Sequence, residues 1–383
     1  MIRQSIQNHP KMPVNLTSEP RAHAVHTLHG RARYAHNKPR HPGRTMTPTI
    51  DTHTHVLADA TIKILQKEIP RLGLKLTPYD ADNAVIEVAG VPYRPFPRGG
   101  HDITRRLADM DAAEVDMHVL SATPQTWLYG QEASVGVAGA AIQNDEIARL
   151  VKEHPARFCG IATLPMQAPE KAAGELRRAM RSLGLHGAMI GSNVGGKNLD
   201  DPSFEVLWAT AEELDAFMMI HPGNVAGADR LRSYYLGNLI GNPLDTTIAA
   251  ACLIFGGVLE RYQKLNFVMV HGGGFIPYQG GRWVHGWQVR PEPKLHLKHS
   301  PQLYLDRFRY DTILHSKTAL EFLISSVGAG RVFLGSDYPY DMGMFDCVRQ
   351  MRSLDISAAD RDRILGGHAA AILNKPHRPA AAR

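Results

Sequence analysis

Cysteine is nearly absent from this 383-residue chain: there are 3, at Cys159, Cys252 and Cys347, far apart and without CxxC spacing. That excludes a disulfide framework and a zinc knuckle and fits reduced, buried thiols of a cytoplasmic protein. Distributed positive charge is missing too, although the net charge is +6 and the pI is near 9.2. Residues 1–45 hold eight Lys or Arg against the single acid Glu19, a net +7, so the rest of the chain sums to −1. The body therefore offers no field for a polyanion, and nucleic acid is not an expected partner. The same 45 residues carry six of the 20 His and no apolar run long enough for a signal sequence or a membrane span. They are expected to be a disordered basic extension, an over-extended translation start or a dispensable leader ahead of Met46, with no membrane partner implied.

What the chain has is 44% hydrophobic and 21% charged residues, the balance of one large globular domain. Short runs of Val, Ile, Leu, Met and Phe alternate with amphipathic stretches, the pattern of βαβ units around a parallel sheet. The runs at 49–52, 117–122, 158–164, 187–190, 216–220, 265–270, 308–310 and 332–335 read as strands. Helices are expected near 102–113, 138–154, 170–182, 204–213, 246–255, 276–287, 317–327 and 358–373, with Asp102 at a helix start. Eight strands favour an α/β closed (β/α)₈ TIM barrel over residues 46–376, followed by a tail at 377–383. A long inserted loop rich in proline (Pro78, Pro92, Pro95, Pro97) follows the first strand and is expected to cover an active site. A second long connection spans 222–243.

Asp51-Thr52-His53-Thr54-His55 closes the first strand, and strand alternation puts His53 and His55 on one face. Alone, such a pair is equally two incidental surface histidines. Position changes that reading, because catalytic groups in these barrels occupy the C-terminal ends of strands. His221 ends the fifth run, His271 the sixth and Asp337 the eighth. Three imidazoles (His53, His55, His221) and the Asp337 carboxylate make a donor set suited to one Zn²⁺, with Mn²⁺ open because divalent ions also compete by availability. The end of the fourth run, Met189 to Asn193, lacks the Lys or acid that would bridge a second metal, which leaves His271 freer for acid/base work. The glycines of His271-Gly-Gly-Gly274 are not followed by Lys-Ser/Thr, so they read as close backbone approach rather than a phosphate cradle.

Residues 47–375 resemble the decarboxylase branch of the amidohydrolase superfamily, through IDTHTH (50–55), PYRP (92–95), SATP (121–124), GSNVGGKNLDDP (191–202), HP (221–222), HGGG (271–274) with GR (281–282), and GSDYP (335–339). The resemblance implies zinc on His53, His55, His221 and Asp337, with His271 activating water at the metal. It implies that Arg94 and Arg282 hold the carboxylates of a small-molecule substrate, Arg282 reaching across the interface of a homodimer. A dicarboxylate does need such planar bidentate partners. The implied reaction is non-oxidative decarboxylation of a carboxylated muconate-semialdehyde-type ring-cleavage product. A hydroxybenzoate-type decarboxylase and a metal-dependent hydrolase or hydratase are the rivals. Gly223 stands where a bulky Trp is the pattern, which predicts a wider pocket. His118 and His186 lie at strand beginnings and read as structural; Trp127, Trp283 and Trp287 read as pocket, interface or core. The apolar helix at 246–255 reads as core or subunit interface.

Overall fold

The computed structural model describes residues 47–373, so the expectations for 1–45 and 377–383 fall outside it. Strand β1 (Ile50–Val56) is buried along its whole length. There follow α1 (Asp59–Glu68), β2 (Lys75–Pro78), β3 (Asn83–Val88), β4 (Val91–Pro97), α2 (Ile103–Ala112) and β5 (Met117–Ala122). The chain continues through α3 (Ala133–Glu153), β6 (Phe158–Gly160), α4 (Pro169–Arg181), β7 (Gly187–Gly191) and a small hairpin, β8 (Asn193–Val194) and β9 (Lys197–Asn198). Next come α5 (Glu205–Glu213), β10 (Phe217–His221), α6 (Asn242–Phe255), α7 (Val258–Arg261) and β11 (Phe267–Met269). After these stand α8 (Ile276–Val289), α9 (Pro301–Leu305), β12 (Arg309–Asp311), α10 (Lys317–Val327) and β13 (Val332–Phe333).

Each of the eight runs marked in the sequence overlaps one strand of two parallel sheets, ordered β1-β5-β6 and β7-β10-β11-β12-β13, with β1 reaching four residues beyond its run. The sheets meet at both ends through isolated parallel bridges, Ala162 to Ala188 beyond β6 and Thr54 to Tyr338 beyond β13. Alternate residues of a strand serve different cores, as the two-residue period requires. In β10, Phe217 and Met219 pack with Val119, Ile161 and Val268, whereas Met218 and Ile220 pack with Leu176, Leu253 and Leu320 on the helices. Asp102 caps α2 as expected, accepting from the Arg105 amide at 3.1 Å.

The stretch after β1 differs from the expected open loop. It holds α1 and an antiparallel sheet, β2-β3-β4, over its own core of Leu57, Ile62, Leu65, Ile86 and Phe96. The prolines misdirect the reading because Pro78 ends β2 and Pro92, Pro95 and Pro97 lie on β4, the two edge strands, where a missing N–H breaks no ladder. The apolar helix is longer than expected: α6 begins at Asn242 behind a π-helical turn, Gly237–Gly241. By length and composition alone Gly237–Phe255 could cross a membrane; one face packs into the core through Thr246, Ala249, Ala250, Leu253 and Ile254, while Leu239 and Ile240 are exposed.

Candidate metal centre

The centre begins with an irregularity in β1. Opposite β5, Asp51 pairs with His118 and Thr54 with Leu120, so β1 spends one residue more than its partner, a bulge. Asp51 turns to Ser336, whose amide it accepts at 3.1 Å, while the rings of His53 and His55 meet at 5.0 Å. His221 from the end of β10 lies 5.2 Å from His53 and 5.0 Å from His55, ring to ring. His271 and Asp337 both sit in the left-handed backbone region, at φ 56° and 60°, a conformation that non-glycine residues hold only where the surroundings dictate it. The glycines after His271 permit the close approach expected: a Cβ on Gly274 would stand 2.1 Å from the Pro243 carbonyl oxygen.

The five groups converge. Ligand-capable atoms of His53, His221, His271 and Asp337 all lie within 4.8 Å of one another. His55 Nε2 is 3.1 Å from His53 Nε2 and 3.1 Å from Asp337 Oδ1, and His53 Nε2 is 3.5 Å from the same oxygen. Two ligands at ~2.1 Å from a tetrahedral ion stand about 3.4 Å apart, so this spacing fits one small cation. The proton inventory agrees. His53 Nδ1 donates to Asp311 Oδ2 at 2.7 Å and His221 Nδ1 to the Pro222 carbonyl at 2.7 Å, which leaves both Nε2 atoms as lone pairs. His221 Nε2 is buried without a protein partner, as a metal-facing nitrogen would be.

Burial, then the neighbouring His55 and His53, hold the His221 imidazole well below its ordinary pKa, and burial likewise lowers His55; both are neutral donors. Burial opposes ionisation of Asp337, but hydrogen bonds with His271 and His55 outweigh it and hold the carboxyl well below the carboxylate range. His53 is raised: burial works against its charge, and the hydrogen bond to Asp311 overcomes that.

His271 differs from the other three imidazoles. Its Nε2 lies 3.6 Å from Asp337 Oδ2, and its Nδ1 is buried with no partner among the described residues. Trp127 forms the wall beside His221, its ring 5.8 Å from the imidazole and stacked on Tyr129 at 5.5 Å. That wall corrects the wider pocket expected from Gly223, because a Cβ there would meet the Trp127 ring at 3.1 Å: the indole fills the space the glycine leaves. Tyr93 of β4 hydrogen-bonds Tyr235 of the 222–243 connection, and both feel the Asp337 charge, so the two long connections meet near the centre.

Arg94 and Arg282 are exposed; Arg94 stacks over Tyr79 at 5.8 Å, and no contact among the described residues joins either to the five groups. His118 is buried against Arg106 at 3.2 Å, in keeping with a structural role. Trp283 packs on Phe255, and Lys294 lies over Trp287. All three cysteines are free thiols. A cavity of about 360 Å³ lies elsewhere, behind β1, lined by Asp51, Gly99, Met110, His118 and Tyr338.

Two residues of this neighbourhood escaped the sequence reading. Asp311, fully buried, orients His53 and accepts from the Gly272 amide at 2.8 Å. Its signal was available, an acid directly after the apolar run 308–310, as Asp337 follows another. Arg106 had no signal, being one of two adjacent Arg on an amphipathic helix.

The Amidohydrolase family model matches residues 50–375. A 2-amino-3-carboxymuconate-6-semialdehyde decarboxylase of Dictyostelium discoideum is 35% identical over 326 residues, covering 85% of this chain and 91% of its own. A gamma-resorcylate decarboxylase of Polaromonas is 27% identical over 280 residues, covering 69% and 85% respectively. The crystal structure of 5-carboxyvanillate decarboxylase from Sphingomonas paucimobilis matches with a TM-score of 0.74 at 29% identity, covering 85% of this chain and 99% of that one.

Proposed function

This chain belongs to the amidohydrolase family, and from that premise we propose that it is a metal-dependent non-oxidative decarboxylase of a carboxylated muconate-semialdehyde-type ring-cleavage product. The observation that carries the reading is the convergence of His53, His55, His221 and Asp337 from three strand ends onto a space one cation wide. The bridges Ala162–Ala188 and Thr54–Tyr338 support a closed (β/α)₈ barrel, with these groups at the C-terminal mouth. The antiparallel sheet β2-β3-β4 covers that mouth through Tyr93.

A divalent ion held there, Zn²⁺ or alternatively Mn²⁺, supplies Lewis acidity to an oxygen of the substrate or of water. His271 handles the proton. The other three histidines each engage Nδ1 with a protein group, Asp311, Ser121 and the Pro222 carbonyl, as ligands do; His271 has no such partner among the described residues and stays free for acid/base work. His271 Nε2 delivers a proton to the carbon that bears the leaving carboxylate, with π electrons of the conjugated chain forming the new C–H bond; the C–C bond to the carboxylate then breaks, its electron pair restores the conjugation, and CO₂ departs. Asp337, 3.6 Å from His271 Nε2, holds the imidazole in place. Arg94 and Arg282 bind the anionic ends of the substrate. Arg282 lies on α8 beside exposed Tyr278 and Phe275, and with Tyr234, Leu239 and Ile240 these support a homodimer that brings Arg282 to the partner's site. Free thiols at Cys159, Cys252 and Cys347 support a cytoplasmic setting.

A second reading, decarboxylation of a hydroxybenzoate-type ring, is favoured by the stacked Trp127–Tyr129 wall, which suits an aromatic plane. Metal analysis coupled to a CO₂-release screen tests both. Turnover of ring-cleavage semialdehydes by one-metal protein supports the first; turnover of hydroxybenzoates alone moves the assignment to the second. Consumption of substrate without CO₂ overturns both in favour of a hydrolase or hydratase.

A further inference from the structure

Arg106 of α2 is fully buried, an expensive place for a guanidinium. Two of its acceptors are peptide carbonyls: Nη2 donates to the His55 carbonyl oxygen and Nε to the Gly99 carbonyl at 3.1 Å, while Nη1 reaches Thr54 Oγ1 at 3.5 Å. Nη1 faces His118 Nδ1 at 3.2 Å, and the Tyr338 ring lies 4.7 Å from the guanidinium carbon. Burial, and then the positive charge of Arg106, keep His118 well below its ordinary pKa, so the imidazole is a neutral acceptor for that N–H.

The bulge explains why a planar fork is needed. The irregularity between Asp51 and Thr54 reorients β1 just before His55. The His55 amide then donates to the Tyr338 carbonyl at 2.7 Å, and its own carbonyl turns to Arg106. Two residues on, Leu57 N donates to the Gly100 carbonyl at 2.8 Å, so the turn that carries Gly99 is tied to the same stretch. One guanidinium thus spans the His55 carbonyl of β1 and the Gly99 carbonyl of the turn tied to it. Lys, a single point donor, lacks that geometry.

We propose that Arg106 is a positioning residue of the metal centre: by clamping the carbonyl of His55 and that of Gly99 it fixes the bulge and thereby the direction of the His55 imidazole. The proposal rests on His55 being a metal ligand. Gly99, His118 and Tyr338, which touch the guanidinium, also line a cavity together with the exposed Arg98 and Phe345.

The test uses the full-length protein with Co²⁺ as probe. Affinity is measured by chelator competition, and ligand geometry is read from the visible Co²⁺ absorption. R106A is expected to bind Co²⁺ about 10- to 100-fold more weakly with an altered spectrum. R106K, which keeps the charge and loses the fork, is expected to follow it in spectrum. Millimolar guanidinium is expected to restore the spectrum of R106A and leave that of wild type unchanged. Should R106A prove too unstable, R106K carries the test alone. Unchanged affinity and spectrum in R106K, with only a lower melting temperature, would overturn the proposal and leave Arg106 a brace of the fold. If wild type itself bound no divalent ion, the metal-centre reading would fall, and this proposal with it.

Discussion

At the scale of single residues, the centre is governed by what each imidazole does with its second nitrogen. A histidine offers one lone pair to a cation only if its other nitrogen carries the proton and that proton has a place to go. Asp311 gives His53 that place at 2.7 Å. Asp311→Asn removes the negative charge behind His53, and metal affinity is expected to fall about 10- to 100-fold, read by chelator competition. His271→Ala should keep the ion, because three imidazoles and Asp337 remain, yet lower CO₂ release by roughly 10²- to 10⁴-fold. Loss of the metal in that variant would instead make His271 a ligand. His53, His55, His221, His271 and Asp337 were legible because each ends an apolar run. Asp311 obeys the same rule and was passed over only because His53 hid its purpose until the two were seen together.

At the scale of elements, the parallel strands declared themselves through their apolar runs, and the antiparallel insert did not. β3 alternates half-buried and buried positions over six residues, but the prolines of β4 obscured its partner. The connections that follow β5 and β10 also pack against each other beside the centre. Gly223 and Trp127 come from different connections, and their complementarity has no expression along the chain. Gly223→Ala is expected to push the indole and destabilise the protein by about 1–3 kcal/mol, measured by chemical denaturation. In a Trp127→Ala background the same change should cost far less, since the contact it violates is gone. Equal costs in both backgrounds would mean that Trp127 does not set the room at Gly223.

At the scale of the whole molecule, the proposed ion and the proposed dimer each make a prediction about stability or activity. An ion that binds only the folded protein stabilises it by about 2.7 kcal/mol at a hundredfold excess over its dissociation constant. Stripping with a chelator is therefore expected to lower the melting temperature, and adding Zn²⁺ or Mn²⁺ to restore it; an unmoved transition would argue against a resident ion. The exposed apolar face around Tyr278, Leu239 and Ile240 predicts a second copy. If Arg282 serves the partner's site, mixing inactive His271→Ala and Arg282→Ala proteins and letting the subunits exchange should recover up to about a quarter of wild-type activity, one working site per mixed dimer. No recovery, with exchange verified, would place Arg282 outside the site.

The sequence by itself determined the eight parallel strands, the positions of the five titratable groups at their ends, and the kind of ion they suit. Those features are local: a two-residue or helical period, a terminus, the chemistry of a side chain. Only the tertiary structure decided which nitrogen of His53 and His221 faces the centre, that Arg106 holds the peptide of His55, and that Trp127 closes the room beside Gly223. Each of these joins residues from separate segments, and a contact between segments exists only once packing has brought them together.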